Sequence, residues 1–304
     1  MTRRLQALTL ERGRWLEDHL ALVRPRISAF VLFAAFTGAL LGAGPDADLL
    51  RVALAALFVG LVGASSSVFN QVLERDTDRL MPRTAGRPLA AERMSVRDAV
   101  LFGAALGLVG VAGLALAFQT LSALLALSTL AAYVLVYTPL KRHTSLNTVV
   151  GAIPGAMPPL LGYVALAGEA GPWGWLLFAM LFAWQFPHFF AIAWLYRDEY
   201  RRAGMIMLPS LPGSSGLAGR QSLAYSLLLL PVSLLPGVRA EAGLVYTSAA
   251  LLLGLAYTTS SALFAWRETP ARARALLLTS LVYLPLLFAA VLSDPVVSAA
   301  LRPR

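Results

Sequence analysis

The chain has 304 residues, of which 58% are hydrophobic and only 13% are charged, and its mean hydropathy is +0.69. So few charges could not cover so much apolar surface in water, so the composition predicts a protein embedded in a lipid bilayer. The lack of cysteine excludes disulfides, thiolate metal sites and a cysteine nucleophile. The net charge of +9 is explained by charge placement around a membrane, so no nucleic-acid partner is expected.

Hydropathy predicts an all-α fold with nine membrane-spanning helices, each about 17–25 residues long, as a bilayer core requires. The predicted transmembrane domain covers residues 27–293, between an N-terminal segment (1–26) and a short C-terminal tail (294–304). No cleavable signal peptide is predicted, because the N-terminal segment lacks an early apolar core. In chain order, the predicted spans are residues 27–44, 52–72, 98–118, 121–138, 146–167, 174–195, 222–238, 244–265 and 273–293.

The basic residues orient the predicted bundle. Of the 25 Lys and Arg residues, 21 lie on the side that holds the N-terminal segment and the connections after spans 2, 4, 6 and 8, counting Arg274 at the start of span 9. The positive-inside rule places that side in the cytoplasm, so the N-terminus is predicted inside and the C-terminus outside, in the cell inner membrane. The two long connections on this side, residues 73–97 and 196–221, are expected to be functional. The opposite side has only Arg51, Arg239, Arg302 and Arg304.

The second predicted span ends in a first acidic motif that contains Asn70, Glu74, Asp76 and Asp78. Asn70, Glu74 and Asp78 follow the spacing i, i+4, i+8 and therefore form one stripe on a helix. Two carboxylates one turn apart repel unless a cation lies between them, and Mg²⁺ commonly binds one or two carboxylates together with substrate phosphates. The alternative is a solvated helix end whose acids only pair with neighbouring arginines.

The sixth predicted span ends in a second acidic motif, in which Asp198 and Glu199 are interleaved with arginines. Spans 2 and 6 are four helices apart, so both motifs return to the same side and can face one cavity. Two acidic motifs with arginines predict a site for Mg²⁺ and a diphosphate, because a metal neutralises the leaving group and eases cleavage of a carbon–oxygen bond. An apolar cavity behind them would suit a lipid tail.

Other cationic side chains on this side suit a polyphosphate, because arginine binds phosphate oxygens in pairs and keeps its charge. Arg83 and Arg87 follow the first motif, while Lys141 and Arg142 lie in the connection after span 4. Their alternative role is to anchor the topology as positive-inside residues. Inside span 6, His188 either contacts an acceptor molecule or hydrogen-bonds structurally to another helix.

These residues resemble the UbiA family of intramembrane prenyltransferases, and within it the haem-modifying branch. The match extends over residues 24–210 and agrees with nine spans. Four segments have the resemblance in the expected order: Asn70 to Asp78 with Arg83-Thr84 and Arg87-Pro88; Tyr137-Thr138 with Lys141-Arg142, Thr144 and Asn147; Gly155-Ala156 with Pro158-Pro159 and Gly162; and Trp184-Gln185 with Pro187-His188-Phe189, Asp198, Tyr200, Gly204 and Met207-Leu208-Pro209.

The resemblance implies a reaction in which farnesyl diphosphate and haem B give haem O and diphosphate, with Mg²⁺ as the cofactor. It further implies association with haem A synthase or oxidase assembly machinery. Glu74 stands where these enzymes often have Asp, so either Glu74 or Asp76 is the closer metal ligand. The implied site comprises Asn70, Glu74, Asp78 and Asp198 as catalytic metal–diphosphate residues, Asp76 and Glu199 as further metal ligands, Arg83, Arg87, Lys141, Arg142 and Arg202 around the diphosphate, and Tyr137, Trp184 and His188 in the acceptor pocket.

Three other functions are compatible with parts of the sequence. One is the same chemistry on an aromatic quinone precursor, against which the Pro158-Pro159 and Trp184-to-His188 segments argue by resemblance. A second is a transporter of anionic lipid-like substrates, but a transporter is expected to place its polar groups near the bilayer midplane rather than at one surface. A third, a haem-binding structural subunit, is disfavoured because only His188 lies clearly inside a predicted span.

Overall fold

The structure is a computed structural model that describes residues 14–44 and 47–300, without the side chains of residues 298–300. Throughout these residues the regular secondary structure is helical, and nine helices are long and apolar enough to cross a membrane. The predicted all-α class and number of spans are therefore confirmed. In chain order the helices are α1 (Pro25–Ala43), α2 (Leu49–Arg79), α3 (Val96–Ala117), α4 (Thr120–Leu140), α5 (Asn147–Ala167), α6 (Pro172–Leu195), α7 (Leu217–Val238), α8 (Leu244–Trp266) and α9 (Pro270–Ser293).

The largest departure from the predicted boundaries is at the end of α2. The predicted span stops at residue 72, whereas the helix continues to Arg79. Hydropathy detects only the part of a helix that lies in lipid, but the backbone hydrogen bonds of a helix can continue into the polar region beyond it. The connection predicted at residues 73–97 is therefore shorter, and the whole first acidic motif lies on a rigid helix.

Helical turns also occupy parts of the other segments that were predicted as connections or termini. Residues 14–23 of the N-terminal segment are helical, while the first thirteen residues lie outside the described part of the chain. Arg302 and Arg304, which were used for the predicted orientation, also lie outside it. The connection after α6 and the tail contain the short helix Arg197–Arg202, the 3₁₀ turn Leu208–Ser210 and the helix Pro295–Ala300.

Helices α1 and α5 pack backbone against backbone through small residues. A methyl group added at Gly38 would lie 1.8 Å from the carbonyl oxygen of Pro159, and one added at Gly162 would lie 2.0 Å from that of Ala35. Glycine allows this approach because it has no Cβ, as is common where membrane helices cross closely. Since α1 and α5 both contribute to the two largest apolar clusters, this contact joins α2–α4 to α6–α9.

We expect Gly162→Ala to lower the free energy of unfolding by about 1–3 kcal/mol, because the added methyl group overpacks the α1–α5 contact. Thermal unfolding followed by intrinsic fluorescence in detergent would measure the change as a lower Tm. Gly86→Ala is the matched control, since a Cβ at Gly86 meets no atom within 4 Å. Equal Tm values for the two variants would contradict the account of this contact.

Three connections meet on one face of the bundle: those between α2 and α3, between α4 and α5, and between α6 and α7. We call this the loop face. The backbone N–H of Ile206 donates to the carbonyl of Lys141 at 2.8 Å, and Arg83 donates to the hydroxyl of Tyr200 at 3.2 Å. Met81 is buried against Met205 and Met207 in a small apolar cluster. The ends of α2, α4 and α6 are therefore held together, and the polar residues at these ends share one region.

Candidate active site

The end of α2 presents a buried stripe of oxygen ligands to the loop face. Asn70, Glu74 and Asp78 are 1%, 6% and 1% exposed, respectively. They lie on one side of the helix because four residues make slightly more than one turn. Asp76 lies on the opposite side, where its side chain is 69% exposed and pairs with Arg75 at 3.5 Å. Between the two predicted ligands, the structure thus places Glu74 on the stripe and Asp76 off it.

Glu74 is paired with a buried lysine from the connection after α4. The Lys141 Nζ lies 2.8 Å from the Glu74 Oε1 and 4.5 Å from the centroid of the Tyr137 ring. Burial would lower the pKa of Lys141, but Tyr137 and Glu74 outweigh it, so this pKa lies above its ordinary value and the amine is charged. Tyr137, predicted to line the acceptor pocket, is therefore a neighbour of the cation at the acidic stripe.

Asp78 is paired with an arginine that the sequence placed at the diphosphate. The Arg87 Nη1 lies 2.7 Å and 2.6 Å from the two carboxylate oxygens of Asp78. Burial lowers the pKa of Arg87 and the positive charge of Arg24 lowers it further, while Asp78 opposes both. An arginine still remains charged at neutral pH. Each carboxylate of the stripe consequently faces one cation.

Arg24 belongs to this group, although the sequence analysis did not select it. Its Nη2 donates to the Asn70 Oδ1 at 3.2 Å. Its backbone is in the left-handed region, at φ 51° and ψ 72°, directly before Pro25. Residues other than glycine adopt this backbone conformation at a cost in free energy. Gln71 donates to the carbonyl of Leu22 at 2.7 Å and helps to hold the bend. An arginine beside a proline at the start of a span was the only signal available.

The remaining predicted diphosphate residues differ in how close they come to the stripe. Arg142 is exposed and donates a hydrogen bond to the Thr77 hydroxyl on α2. Arg83 is also exposed and lies over the Tyr196 ring, 4.9 Å from its centroid. Arg202 is exposed as well, but it donates to the carbonyl of Asp198 at 3.3 Å in its own short helix. The structure gives Arg202 no contact with the first motif.

The second acidic motif does not present its aspartate to the first. The Asp198 side chain is 69% exposed and pairs with Arg201 at 3.3 Å. Glu199 has one buried carboxylate oxygen without a hydrogen-bond partner in the described part of the chain. No group of three or more His, Asp or Glu side chains is arranged around a common metal position among these residues. Asn70, Glu74 and Asp78 present oxygen atoms of the kind that Mg²⁺ binds in proteins, where the ion takes its other ligands from phosphate or water.

The two predicted acceptor-pocket residues on α6 lie together, next to α1 and α9. The Nδ1 of His188 is 2.8 Å from the Ser280 hydroxyl, and the Trp184 Nε1 donates to the Ser280 carbonyl at 2.9 Å. The indole stacks on the His188 ring at 4.9 Å and on the Phe30 ring at 5.6 Å between centroids. This cluster offers an aromatic surface with one polar edge inside the bundle, apart from Tyr137.

The fold and the family agree with this arrangement. The sequence profile of the UbiA prenyltransferase family matches residues 31–290, and the chain belongs to that family. Two solved UbiA homologues share the fold. The ligand-free homologue from Aeropyrum pernix is 26% identical with a TM-score of 0.71, covering 87% of this chain and 96% of that one. The homologue from Archaeoglobus fulgidus, solved with GPP and Mg²⁺, is 20% identical with a TM-score of 0.63, covering 92% and 99%.

Curated relatives place the chain more narrowly within the family. A protoheme IX farnesyltransferase from Solibacter usitatus is 42% identical over 289 residues, which cover 92% of this chain and 99% of that relative. Another from Sorangium cellulosum is 44% identical over 243 residues, covering 80% and 86%. The expected resemblance to the haem-modifying branch of the family is thus confirmed. The chain is a membrane-embedded prenyltransferase enzyme of that branch.

Proposed function

We propose that the enzyme transfers the farnesyl group of farnesyl diphosphate to a vinyl group of haem B in a Mg²⁺-dependent reaction that yields haem O and diphosphate. The observation that carries this proposal is the buried stripe of Asn70, Glu74 and Asp78, faced by Lys141 and Arg87. Support for the reactants comes from the name that the curated relatives share. Support for the metal comes from the family homologue that holds both GPP and Mg²⁺.

In the proposed reaction the bond between the farnesyl C1 and the diphosphate oxygen breaks, and the diphosphate leaves with both bonding electrons. The vinyl group of haem B attacks the allylic cation, water adds its oxygen to the resulting cation beside the porphyrin, and one proton is released. A bound Mg²⁺ would neutralise charge on the leaving diphosphate. Asn70, Glu74 and Asp78 would hold it, since they form the oxygen donor set at the loop face.

The cations beside the stripe would exchange partners when the donor binds. Lys141 and Arg87 now neutralise Glu74 and Asp78, respectively. A metal at the stripe would compete for the same carboxylate oxygens, which frees both cations to donate to the diphosphate oxygens. Such donors stabilise the charge that develops on the leaving group, because they are already in place in a site of low dielectric constant. Arg142 would extend the cationic surface from its position beside Thr77.

We propose that the acceptor lies against the aromatic cluster of Trp184, His188 and Phe30. A porphyrin offers a large flat apolar surface, which suits the stacked rings of this cluster. Ser280 fixes the His188 ring through Nδ1. Tyr137 is assigned to the donor side instead, because it contacts Lys141.

His188→Leu should raise the KM for haem B by about tenfold, because the variant loses the polar edge and the stacked ring of the acceptor surface. The KM for farnesyl diphosphate should stay within about twofold, since no contact among the described residues joins His188 to the acidic stripe. Steady-state rates with each substrate varied in turn would separate the two. His143→Leu is the matched control, because its side chain is exposed on the loop face. A change confined to the KM of the donor would sink the assignment.

We further propose that the loop face lies on the cytoplasmic side of the cell inner membrane, with the N-terminus inside. This is supported by the 21 of 25 basic residues that the sequence assigns to the side of the N-terminal segment. A soluble diphosphate donor from the cytoplasm would then reach the acidic stripe directly, while the acceptor would enter from the lipid.

The acceptor is tested by incubating the purified enzyme with farnesyl diphosphate, Mg²⁺ and either haem B or an aromatic quinone precursor. Chromatography with mass detection should find haem O with the first acceptor and no prenylated product with the second. Prenylation of the aromatic acceptor alone would retain the chemistry and overturn the haem assignment. If folded enzyme consumed no prenyl diphosphate with any acceptor, transport of an anionic lipid-like substrate would become the better explanation.

A further inference from the structure

The second acidic motif directs two tyrosines, rather than Asp198, towards the connection that follows the first motif. Tyr196 and Tyr200 are one helical turn apart, and both contact Arg83 from the connection after α2. The Arg83 guanidinium lies 4.9 Å from the Tyr196 ring centroid and donates to the Tyr200 hydroxyl at 3.2 Å. Asp198 lies between these tyrosines in sequence and therefore points elsewhere, to solvent and Arg201. We call Arg83, Tyr196 and Tyr200 the arginine–tyrosine clamp.

The clamp lies next to the acidic stripe. Met81, three residues after Asp78, is 2% exposed and packs in the same apolar cluster as Tyr200. The backbone N–H of Met81 donates to the Asp78 carbonyl at 3.3 Å, so the chain turns directly from the stripe towards the clamp. Arg83 follows two residues later. This short path places the clamp close to the end of the stripe.

Arg83 differs from Lys141 and Arg87 in how its charge is balanced. Lys141 and Arg87 each have a buried carboxylate partner. Arg83 forms no ion pair in the described part of the chain, where it contacts a neutral ring and a neutral hydroxyl. Aromatic faces orient a guanidinium without neutralising it. The clamp therefore holds an uncompensated positive charge where the second acidic motif was predicted to hold a metal.

We propose that Tyr196 and Tyr200 are positioning residues for Arg83, whose guanidinium binds the end of the diphosphate remote from the acidic stripe. On this account the second motif supplies no metal ligand, and metal binds only at Asn70, Glu74 and Asp78. The inference rests on the proposed function, because it requires a prenyl diphosphate donor. Glu199 is the residue that can overturn it, since one of its carboxylate oxygens is buried without a hydrogen-bond partner in the described structure.

The test counts the metal ions bound to the enzyme in detergent. Mn²⁺ replaces Mg²⁺, and farnesyl thiodiphosphate, which resists cleavage, replaces the donor. Electron paramagnetic resonance should find one bound Mn²⁺ per chain in the wild type, in Asp198→Asn and in Glu199→Gln. Two bound ions in the wild type, with one lost in either variant, would overturn the proposal. Wild-type enzyme that binds no thiodiphosphate would instead contradict the proposed function, so the two failures are distinguishable.

Calorimetry of thiodiphosphate binding tests the clamp itself. Arg83→Ala should raise the Kd on the order of 10–100-fold, because a charge-assisted contact is lost, while one Mn²⁺ still binds. Tyr200→Phe should raise the Kd less, and should have no further effect once Arg83 is alanine, whereas Arg83→Lys should restore part of the affinity. A merely structural Tyr200 would weaken binding equally in both backgrounds. An unchanged Kd in Arg83→Ala would also overturn the proposal.

Discussion

Asp78→Asn is expected to lower kcat/KM for farnesyl diphosphate by about 10²–10³-fold, the scale seen when one preorganised electrostatic group of a catalytic site is removed. Asp78 is 1% exposed at the end of the stripe, where it provides a proposed metal ligand and holds both oxygens against Arg87. Asparagine keeps the size of the side chain and one oxygen but removes the charge. Both the metal and the position of Arg87 are therefore affected.

The measurement is the rate of haem O formation, together with Mn²⁺ binding by electron paramagnetic resonance. Asp76→Asn is the matched control, because it makes the same chemical change two residues away on the exposed side of α2. We expect that variant to retain its rate within about twofold. Equal losses in the two variants would show that the charge of the helix end matters, and not the stripe. A Tm close to the wild-type value would exclude unfolding as the cause.

Lys141→Met is expected to produce opposite effects on metal and donor binding. The Lys141 ammonium occupies the Glu74 carboxylate at 2.8 Å, with both side chains largely buried. Without this competing cation, Mn²⁺ alone should bind on the order of tenfold more tightly, whereas the thiodiphosphate should bind on the order of 100-fold less tightly and turnover should fall in parallel. The methionine nearly matches the length and apolar stem of lysine, which limits the change in packing.

Lys141→Arg is the control for charge. It should restore donor binding in part, and it should bind metal alone more weakly than Lys141→Met does. Because the pKa of Lys141 lies above its ordinary value, its charge should persist across the neutral range. The apparent affinity for Mn²⁺ should consequently show no titration of this lysine between about pH 6 and pH 9. A Lys141→Met enzyme with weaker affinity for Mn²⁺ alone would contradict the exchange of partners.

The fold could be predicted from the sequence because lipid imposes a simple rule on it. Long apolar segments must be helical to satisfy their backbone hydrogen bonds, so hydropathy identified all nine spans. The same rule explains the principal error. Residues 73–79 carry acids and arginines and fall outside the apolar window, although helix α2 continues through them to Arg79. Hydropathy could not distinguish a polar helix end from a loop.

The arrangement of the first motif on one face of α2 was predicted from helical periodicity, whereas its role as a metal site stays a prediction. Asn70, Glu74 and Asp78 were placed on one stripe by their spacing, and the structure finds them buried together. The same periodicity, applied to Asp76, would have placed it on the opposite side. The structure pairs the acids of the stripe with Lys141 and Arg87. These acids and cations were predicted separately, since the sequence does not show which cation meets which acid.

The second motif illustrates what helical spacing alone cannot settle. Asp198 was predicted as a metal residue because it is an acid at a helix end, but α6 ends at Leu195 and a new short helix starts at Arg197. The break rotates the following residues, so the tyrosines meet Arg83 while Asp198 faces solvent. Arg24 was missed for a related reason. Its contact with Asn70 depends on a left-handed bend before Pro25, which composition and hydropathy do not encode.

The most direct test of the central claim measures haem O and released diphosphate in the same reaction of enzyme, farnesyl diphosphate, haem B and Mg²⁺. We expect equal molar amounts of the two products, loss of both when EDTA removes the metal, and recovery of both when excess Mg²⁺ is added back. Diphosphate released without haem O would mean that haem B is not the acceptor, and haem O formed at an unchanged rate in EDTA would contradict the metal–diphosphate site at Asn70, Glu74 and Asp78.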